Sequence, residues 1–426
     1  MIKAKRLANG MRYHLVPVSG TGAATILVLA KVGSRYEPLK VWGGSHFIEH
    51  LMFKGTTRRP NTIDISKTID RYGAEFNAFT SKDHTGYYVK IAGDKLPVAV
   101  DLLHDMIFHS KYDPKEINRE RGVIIEEIKM YEENPIMHVE DILEEAMFDG
   151  NSLGRTIIGT VETIKKIRRS DLIAYRDAYY KPSEMVVAIA GKIPKGIVGL
   201  LEKSFGKVRA GEEPERYLPF GETPRQSLPR IARQYKDLKQ IQLAFGFPAP
   251  PRGHKDIPAL QLLASILGGS MSSRLFIEVR ERRGLCYMLR SSIDLFDDVG
   301  MFIVRAGLDA QRLDEAALVI ANELKKIKKH GVSVRELREA KDHLEGAAKL
   351  KMEDSSSQAE FIASQELFLN KVDSFDYKIA KIRQVTAKDI LRVANETLDF
   401  EKWSVAAIGP YKTDEALRKH LPKLHS

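Results

Sequence analysis

The chain has 426 residues, which is too long for a single hydrophobic core, so two or more domains are expected. Hydrophobic residues make up 43% and charged residues 29%, as in ordinary globular proteins, and a membrane span of about 18 apolar residues is excluded. The formal charge of +10 invites a nucleic-acid role, but lysine and arginine are interleaved with acidic residues, so no nucleic-acid partner is predicted.

The start of the chain and its cysteine content bear on localisation and on metal chemistry. The first residues contain neither an apolar segment nor a small-residue cleavage site, which predicts a cytoplasmic protein. The single cysteine, Cys286, excludes a disulfide framework and a cysteine-rich zinc site within one chain. A metal would therefore need histidine and carboxylate ligands.

The predicted elements alternate between apolar strands and helices. Asn9-Gly10 between apolar runs predicts a β-hairpin near the start. Two apolar runs, 24–32 and 185–191, are typical of buried strands, and 75–92 is rich in the aromatic and β-branched residues that favour strands. Helices are predicted over 44–54, 62–73, 94–109, 114–134 and 170–179.

The middle of the chain carries the best candidate for a linker. Residues 211–229 are dense in Pro, Gly and Glu and show no hydrophobic periodicity. We therefore predict an N-terminal domain over 1–210, a linker over 211–229 and a C-terminal domain over 230–426.

The two halves carry a related pattern. Asp171 precedes a helix and an apolar run that ends at Gly191, and Asp389 precedes the same arrangement ending at Gly409. The separation in sequence from the aspartate to the glycine is identical in the two halves. Adding one constant offset to the residue numbers of the first pair therefore gives those of the second pair. An internal duplication with this offset predicts two similar α+β units.

The segment GGSHFIEHLMFKGT points most directly to chemistry. At about 100° per residue, His46 and His50 project about 40° apart on one helical face, close enough to share a tetrahedral ion. Glu49 projects to the other side of His46, from where it reaches a water on the metal without binding the metal. This is the H-x-x-E-H inversion of the H-E-x-x-H zinc peptidase signature. When the duplication offset is added to these three positions, they fall on Ala264, Leu267 and Gly268. The second half therefore lacks the His-Glu-His triplet.

On this motif alone, a solvated or core-packed histidine pair stays an open alternative. A second helical segment, INRERGVIIEEIKMYEE, offers a third ligand, because Glu120 and Glu127 are seven apart and lie within about 20° of one face. Val123 and Ile124 accompany them on or near that face, which favours carboxylates that point inward; the alternative is that all these glutamates are surface charges on a long helix. Glu126 is the rival ligand, although it projects about 100° away.

Together these motifs resemble peptidase family M16, the inverzincin family of pitrilysin, insulin-degrading enzyme and the mitochondrial processing peptidase. Glu127 follows His50 at the separation that the family's pattern requires. Family-like segments also occur in chain order: LANGMRY, GAEFNAFTSKDHTGYY, ERGVIIEEIKMYEENP, LGRTIIGT and GGSMSSRLFIEVRERRGLCY. The length resembles the short subfamily M16B, in which one chain forms half of a four-domain clamshell.

The resemblance implies an α+β fold of two similar halves of the LuxS/MPP-like metallohydrolase type. Each half would be a mixed, mainly antiparallel sheet packed with helices. It also implies one Zn²⁺ per chain, held by His46, His50 and Glu127, with Glu49 as general base and Glu120 supporting the site. The family commonly has Glu or Tyr at the position of His84, a departure without an evident catalytic consequence.

By the same resemblance, Arg280 and Tyr287 of the second half contact substrate and stabilise the transition state. The edge strand that binds an extended peptide would contain Asn77, Ala78, Phe79 and Thr80. These similarities imply a zinc endopeptidase for peptides or unfolded polypeptides, with Arg280 and Tyr287 of one chain completing the zinc site of another in a homodimer. The alternative is a non-catalytic scaffold or partner subunit.

Overall fold

The apolar runs of the first half form a six-stranded sheet. In the computed structural model, which describes residues 3–222 and 230–421, its strands are β1 Lys5–Arg6, β2 Arg12–Pro17, β3 Ala23–Ala30, β4 Glu75–Thr80, β5 Thr85–Ala92 and β6 Met185–Gly191. The predicted hairpin joins β1 to β2, and its Gly10 has a φ of 88°, which glycine adopts at little steric cost. The strand order is β1-β2-β6-β3-β5-β4, and the β2–β6 pair is parallel.

The second half repeats this arrangement. Its five strands are β7 Arg230–Tyr235, β8 Gln240–Ala249, β9 Cys286–Leu295, β10 Gly300–Asp309 and β11 Ser404–Gly409. Their order is β7-β11-β8-β10-β9, with β7 and β11 parallel, which matches β2-β6-β3-β5-β4 position by position. The predicted fold class, α+β with two similar halves and mainly antiparallel sheets, is therefore confirmed.

The predicted helices are confirmed, with ends that shift by a few residues. Those of the first half are α1 Gly44–Met52, α2 Thr62–Asp70, α3 Leu96–His109, α4 Pro114–Glu133, α5 Pro135–Met147, α6 Val161–Lys166, α7 Arg169–Tyr179 and α8 Ile197–Lys203. Those of the second half are α9 Ile257–Gly268, a π-helix at Phe276–Glu281, α10 Leu313–His330, α11 Val334–Lys351, α12 Ser355–Leu369, α13 Phe375–Gln384, α14 Ala387–Thr397 and α15 Asp414–Arg418. None of these helices is long and apolar enough to cross a membrane.

The chain folds into two units, each assembled from separate segments. The first unit takes the described parts of Met1–Lys129, Thr156–Tyr217 and Lys349–Ser374, and the second takes those of Met130–Arg155, Leu218–Ala348 and Phe375–Ser426. Helix α5 thus packs on β8 and β11 of the second sheet, and α12 packs on β3 and β6 of the first. A domain boundary at 211–229 stays a prediction, and residues 223–229 of that linker lie outside the described residues.

Both faces of the first sheet are covered, which explains why its central strands are apolar throughout. One face packs on the main core of the unit, where α1 lies against β4 and α7. The opposite face packs on α12, so alternate residues of β3 and β6 are buried on each side. The residues facing α12 include Leu27, Leu29, Val186 and Ala188. Burial of each large aliphatic side chain contributes about 1.5–3 kcal/mol, which makes this face a substantial part of the unit's stability.

Candidate active site

Helix α1, which carries the predicted H-x-x-E-H motif, begins at a tight turn. Gly43 has a φ of 91°, and a Cβ added there would lie 2.6 Å from the carbonyl oxygen of Ile158, so only glycine fits. The Glu37 carboxylate accepts hydrogen bonds from the N–H groups of Gly43 and Ser45, at 2.7 and 2.6 Å. It thereby satisfies donors that a helix start leaves unpaired and places negative charge where the helix dipole favours it. The buried face of α1 contains Phe47, Ile48, Leu51 and Met52.

Helix α4 supplies the two carboxylates that the sequence placed on one face. Glu120 is buried and Glu127 is partly buried, one above the other along the helix. Val123, expected on or near this inward face, is 47% exposed and does not contribute to its buried contacts. The apolar contacts of the face instead come from Ile117, Ile124 and Ile128.

Three ligand-type atoms from these two helices converge. The Oε2 atom of Glu127 lies 3.9 Å from Nε2 of His46 and 3.6 Å from Nε2 of His50. The imidazole centroids are 4.6 Å apart, and one atom from each of the three residues lies within 4.8 Å of the other two. Within 3–222 and 230–421, this is the one group of three or more His, Cys, Asp or Glu residues so arranged.

This arrangement fits a zinc ion in both chemistry and spacing. Zn–N bonds of about 2.0–2.1 Å at tetrahedral angles place ligand atoms about 3.3–3.4 Å apart, a few tenths of an ångström closer than here. Two imidazole nitrogens and one carboxylate oxygen are also the donor set of catalytic zinc sites, which keep a fourth position open. Small side-chain movements would therefore suffice to complete the coordination of the metal by His46, His50 and Glu127.

The protonation of these groups suits metal binding. Burial, reinforced by the neighbouring His50, lowers the pKa of His46 to about 3, so its imidazole is neutral at neutral pH and carries an available lone pair. Burial raises the pKa of Glu127, and the proximity of His50 opposes that rise. A divalent cation would compensate the cost of holding this carboxylate ionised in a partly buried position.

Glu120 bridges His50 to a lysine. Its Oε2 atom lies 3.1 Å from Nδ1 of His50, and its Oε1 atom lies 2.8 Å from Nζ of Lys54. Burial raises the pKa of Glu120, but the hydrogen bonds from His50 and Lys54 outweigh it, so the pKa lies below its ordinary value. The ionised carboxylate accepts the Nδ1–H of His50, which leaves Nε2 on the side of Glu127.

Glu49 projects from α1 towards the end of strand β4. The hydroxyl of Thr80 donates a hydrogen bond of 2.5 Å to Oε2 of Glu49. Burial raises the pKa of Glu49, while the hydrogen bond from Thr80 and the nearby His50 lower it in part. Glu49 thus lies beside the histidines without joining the group of three ligand-type atoms, as a proton carrier should.

Strand β4, which contains the predicted substrate-binding residues, forms an edge of the first sheet. It pairs with β5 and ends the strand order on that side. Asn77 accepts a hydrogen bond from the N–H of Ala78 with its own Oδ1 atom. The rings of Phe79 and His84 meet edge to face with their centres 5.7 Å apart, and Thr80 contacts Glu49 as described above. The exposed edge offers backbone groups to an extended peptide.

Arg280 and Tyr287 belong to the second unit, where the chain brings them together. Arg280 lies in the π-helix, and its guanidinium carbon is 4.9 Å from the ring centre of Phe276 and 5.6 Å from that of Tyr287. Tyr287, in strand β9, is 77% exposed. A cation held between two aromatic rings is pre-oriented, and π-helical turns occur frequently at functional sites.

Comparisons with known proteins indicate the family of this chain. A family model described as Insulinase (Peptidase family M16) matches residues 16–161, and one described as Peptidase M16 inactive domain matches residues 166–344. The two models together span most of the chain. This chain belongs to peptidase family M16. The first M16 match contains the residues of α1 and α4 described above, and the second contains Arg280 and Tyr287.

Curated relatives extend the M16 likeness over nearly the whole chain. An uncharacterized zinc protease of Bacillus subtilis is 35% identical over 96% of this chain and 98% of its own length. An uncharacterized zinc protease of Mycobacterium tuberculosis is 35% identical over 97% of this chain and 94% of its own length.

Solved structures share the M16 fold. The crystal structure of a protease from Helicobacter pylori matches with a TM-score of 0.89 at 26% identity, covering 96% of this chain and 99% of that one. A peptidase M16 inactive domain from Pseudomonas fluorescens matches with a TM-score of 0.88 at 17% identity, covering 96% and 98%. At that lower identity the likeness concerns the fold alone.

Sequence reasoning missed two contacts in this M16 site. Lys54 was not singled out, although it stands one helical turn after His50 and could be expected on the same helical side. Thr80 was predicted to bind substrate, and its hydroxyl is engaged with Glu49. The separation of one helical turn between His50 and Lys54 could have predicted the contact of Lys54 with Glu120. The contact of Thr80 with Glu49 could not be predicted, because it depends on how β4 packs against α1.

Proposed function

We propose that this M16 chain is a zinc-dependent endopeptidase that hydrolyses peptides or unfolded polypeptides. The observation that carries the proposal is that one ligand-type atom from each of His46, His50 and Glu127 lies within 4.8 Å of the other two. Glu49 stands beside the two histidines on α1. Relatives named zinc proteases support zinc as the metal and the peptide bond as the substrate. One ion per chain follows from the one such site found within residues 3–222 and 230–421.

The residues of the site divide the chemistry between them. His46, His50 and Glu127 would hold the metal, which when bound lowers the pKa of a water and polarises a carbonyl group. Glu49 takes a proton from the attacking water on its carboxylate and then delivers that proton to the leaving amine. Thr80 holds Glu49 in place through its hydroxyl, so one carboxylate oxygen is fixed during the transfer.

Recognition of the substrate is assigned to the edge strand β4. Residues Asn77 to Thr80 would pair with an extended peptide through backbone hydrogen bonds, which do not depend on the peptide's sequence. This mode of binding selects unfolded chains over folded ones, because a folded protein seldom exposes an unpaired strand. It therefore fits a peptidase with a broad sequence range.

A cleavage assay on a mixed peptide library tests the function. The zinc-loaded chain is expected to cut several peptides, and removal of the metal by a chelator is expected to abolish cutting, with recovery on addition of Zn²⁺. The alternative is a non-catalytic scaffold or partner subunit. Zinc binding without cleavage of any library member would support that alternative.

We further propose that the chain acts as a homodimer with shared active sites. Tyr287 is 77% exposed and lies against Arg280, so both are placed to reach a substrate bound outside their own unit. In the shared arrangement, Arg280 and Tyr287 of one chain would donate hydrogen bonds to the oxyanion formed at the zinc site of its partner. A fully active monomer in gel filtration would contradict the proposal.

A mixing experiment tests the shared sites directly. Glu49→Gln and the double variant Arg280→Ala/Tyr287→Phe are each expected to be inactive alone. After co-refolding in equal amounts, half of the dimers are mixed, and each mixed dimer contains one intact site, so about one quarter of wild-type activity returns. The readout is the initial rate of peptide cleavage. If the sites formed within one chain, mixing would restore nothing.

A further inference from the structure

We propose that Lys54 is a positioning residue that orients the metal ligand His50 through Glu120. The inference rests on the proposed metal site and extends it by one residue that no motif assigned. Lys54 lies outside the group of converging ligand-type atoms, so its effect passes through the buried carboxylate between it and the imidazole.

The contacts form a continuous chain. The ammonium of Lys54 lies 2.8 Å from Oε1 of Glu120, and Oε2 of the same carboxylate lies 3.1 Å from Nδ1 of His50. The Glu120 side chain is 4% exposed and that of Lys54 is 25% exposed. The far nitrogen of His50 then lies 3.6 Å from Oε2 of Glu127. Lys54 is therefore linked to the ligand cluster through one buried carboxylate.

Backbone geometry fixes the lysine relative to the histidine. Lys54 follows α1 after the capping residue Phe53. Its N–H donates to the carbonyl of Leu51 at 3.1 Å, while the N–H of Phe53 donates to the carbonyl of His50 at 3.2 Å. The final turn of the helix is thus continued by hydrogen bonds. As a result, one partner of Glu120 comes from the last turn of α1 and the other from the hydrogen-bonded turn that follows it.

The charge of Glu120 explains why Lys54 is needed. A buried carboxylate is strongly disfavoured unless an opposite charge compensates it, and His50 must stay neutral to bind a metal. Lys54 provides the compensating charge. With that charge in place, Glu120 accepts the Nδ1–H of His50, which fixes the tautomer and the ring orientation that expose Nε2.

The other histidine lacks this support. Within the described residues, Nδ1 of His46 is buried and has no hydrogen-bond partner. Of the two histidines, His50 is therefore the one whose ring is oriented by a side-chain hydrogen bond at Nδ1. Removal of the charge that holds Glu120 against His50 should weaken metal binding more than removal of a lysine from an ion pair at the surface.

Metal affinity, measured by competition with a chromophoric zinc chelator, tests the inference without relying on activity. Lys54→Met is expected to weaken zinc binding about 10-fold, within the range typical of residues that orient metal ligands, and Lys54→Arg is expected to recover most of the affinity. The matched control is Lys129→Met, which removes an exposed ion pair with Glu126, 2.7 Å apart on α4. This control should bind zinc as wild type does.

A double-mutant cycle separates positioning from general stability. In a Glu120→Gln background the buried charge is absent, so adding Lys54→Met should cause no further loss of zinc affinity. An equal loss in both backgrounds, or unchanged affinity in Lys54→Met, would overturn the inference. A wild-type chain that binds no zinc would instead overturn the proposed function and this inference with it.

Discussion

Replacement of Glu49 by glutamine is expected to lower the rate of peptide hydrolysis about 1000-fold, the middle of the range for loss of a general base. The amide has nearly the same size and can still accept the hydrogen bond from Thr80, so the local packing should persist. It cannot take up the proton of the attacking water. Because Glu49 stands outside the ligand group, zinc content should be unchanged.

The measurement combines kcat on a fluorogenic peptide with metal analysis of the same preparation. Glu126→Gln is the matched control, since it makes the same chemical change at a carboxylate whose side chain is 72% exposed. Hydrolysis retained by a clean Glu49→Gln preparation would refute the assignment of the base. Loss of zinc together with activity would move Glu49 from proton transfer to metal binding.

Apolar runs were sufficient to predict strands of the first sheet, and the repeated Asp-to-Gly spacing was sufficient to predict the duplication. Gly191 and Gly409, which the predicted offset relates, end the equivalent strands β6 and β11. Both strands lie between two others and are buried on both faces, which requires uninterrupted apolar runs. A strand that is buried on both faces can therefore be predicted from its own sequence.

Helices α5 and α12 each pack on the sheet formed by the other half of the chain. Their positions could not be predicted, since they depend on contacts between distant parts of the chain. Helix α12 packs on β3 with Ala359 and Ala363, although most of the chain separates this helix from that strand in sequence. Asp354 at its N-terminus accepts a hydrogen bond from Lys90 at 2.6 Å, and His14 contacts Glu366 at 3.0 Å. Small apolar residues at helical spacing do not indicate which sheet they will cover.

The candidate site was predicted best where helix geometry alone decides. Two positions seven apart are separated by almost two full turns, so Glu120 and Glu127 had to share a face, and the structure places them so. The exposed Val123 shows the limit of this reasoning, because a residue near the edge of a face is buried only if a neighbour covers it. Contacts between elements, such as Thr80 with Glu49, needed the fold.

The identity of the third ligand gives the second large prediction. Glu127→Ala is expected to weaken zinc binding more than about 100-fold and to reduce hydrolysis correspondingly, because loss of a ligand exceeds the effect of a supporting residue. Glu126→Ala, one position away, should change neither. Glu126 pairs with Lys129 at the surface, whereas Glu127 approaches both histidines.

The two neighbouring substitutions form a stringent pair, since they differ only in the direction in which the carboxylate projects. Both remove one negative charge from the same turn of α4, so a general electrostatic effect would weaken zinc binding equally in each. Thermal unfolding of the metal-free variants checks that α4 is intact. Zinc affinity lost in Glu126→Ala but kept in Glu127→Ala would assign the ligand to Glu126 and reject the arrangement described for His46, His50 and Glu127.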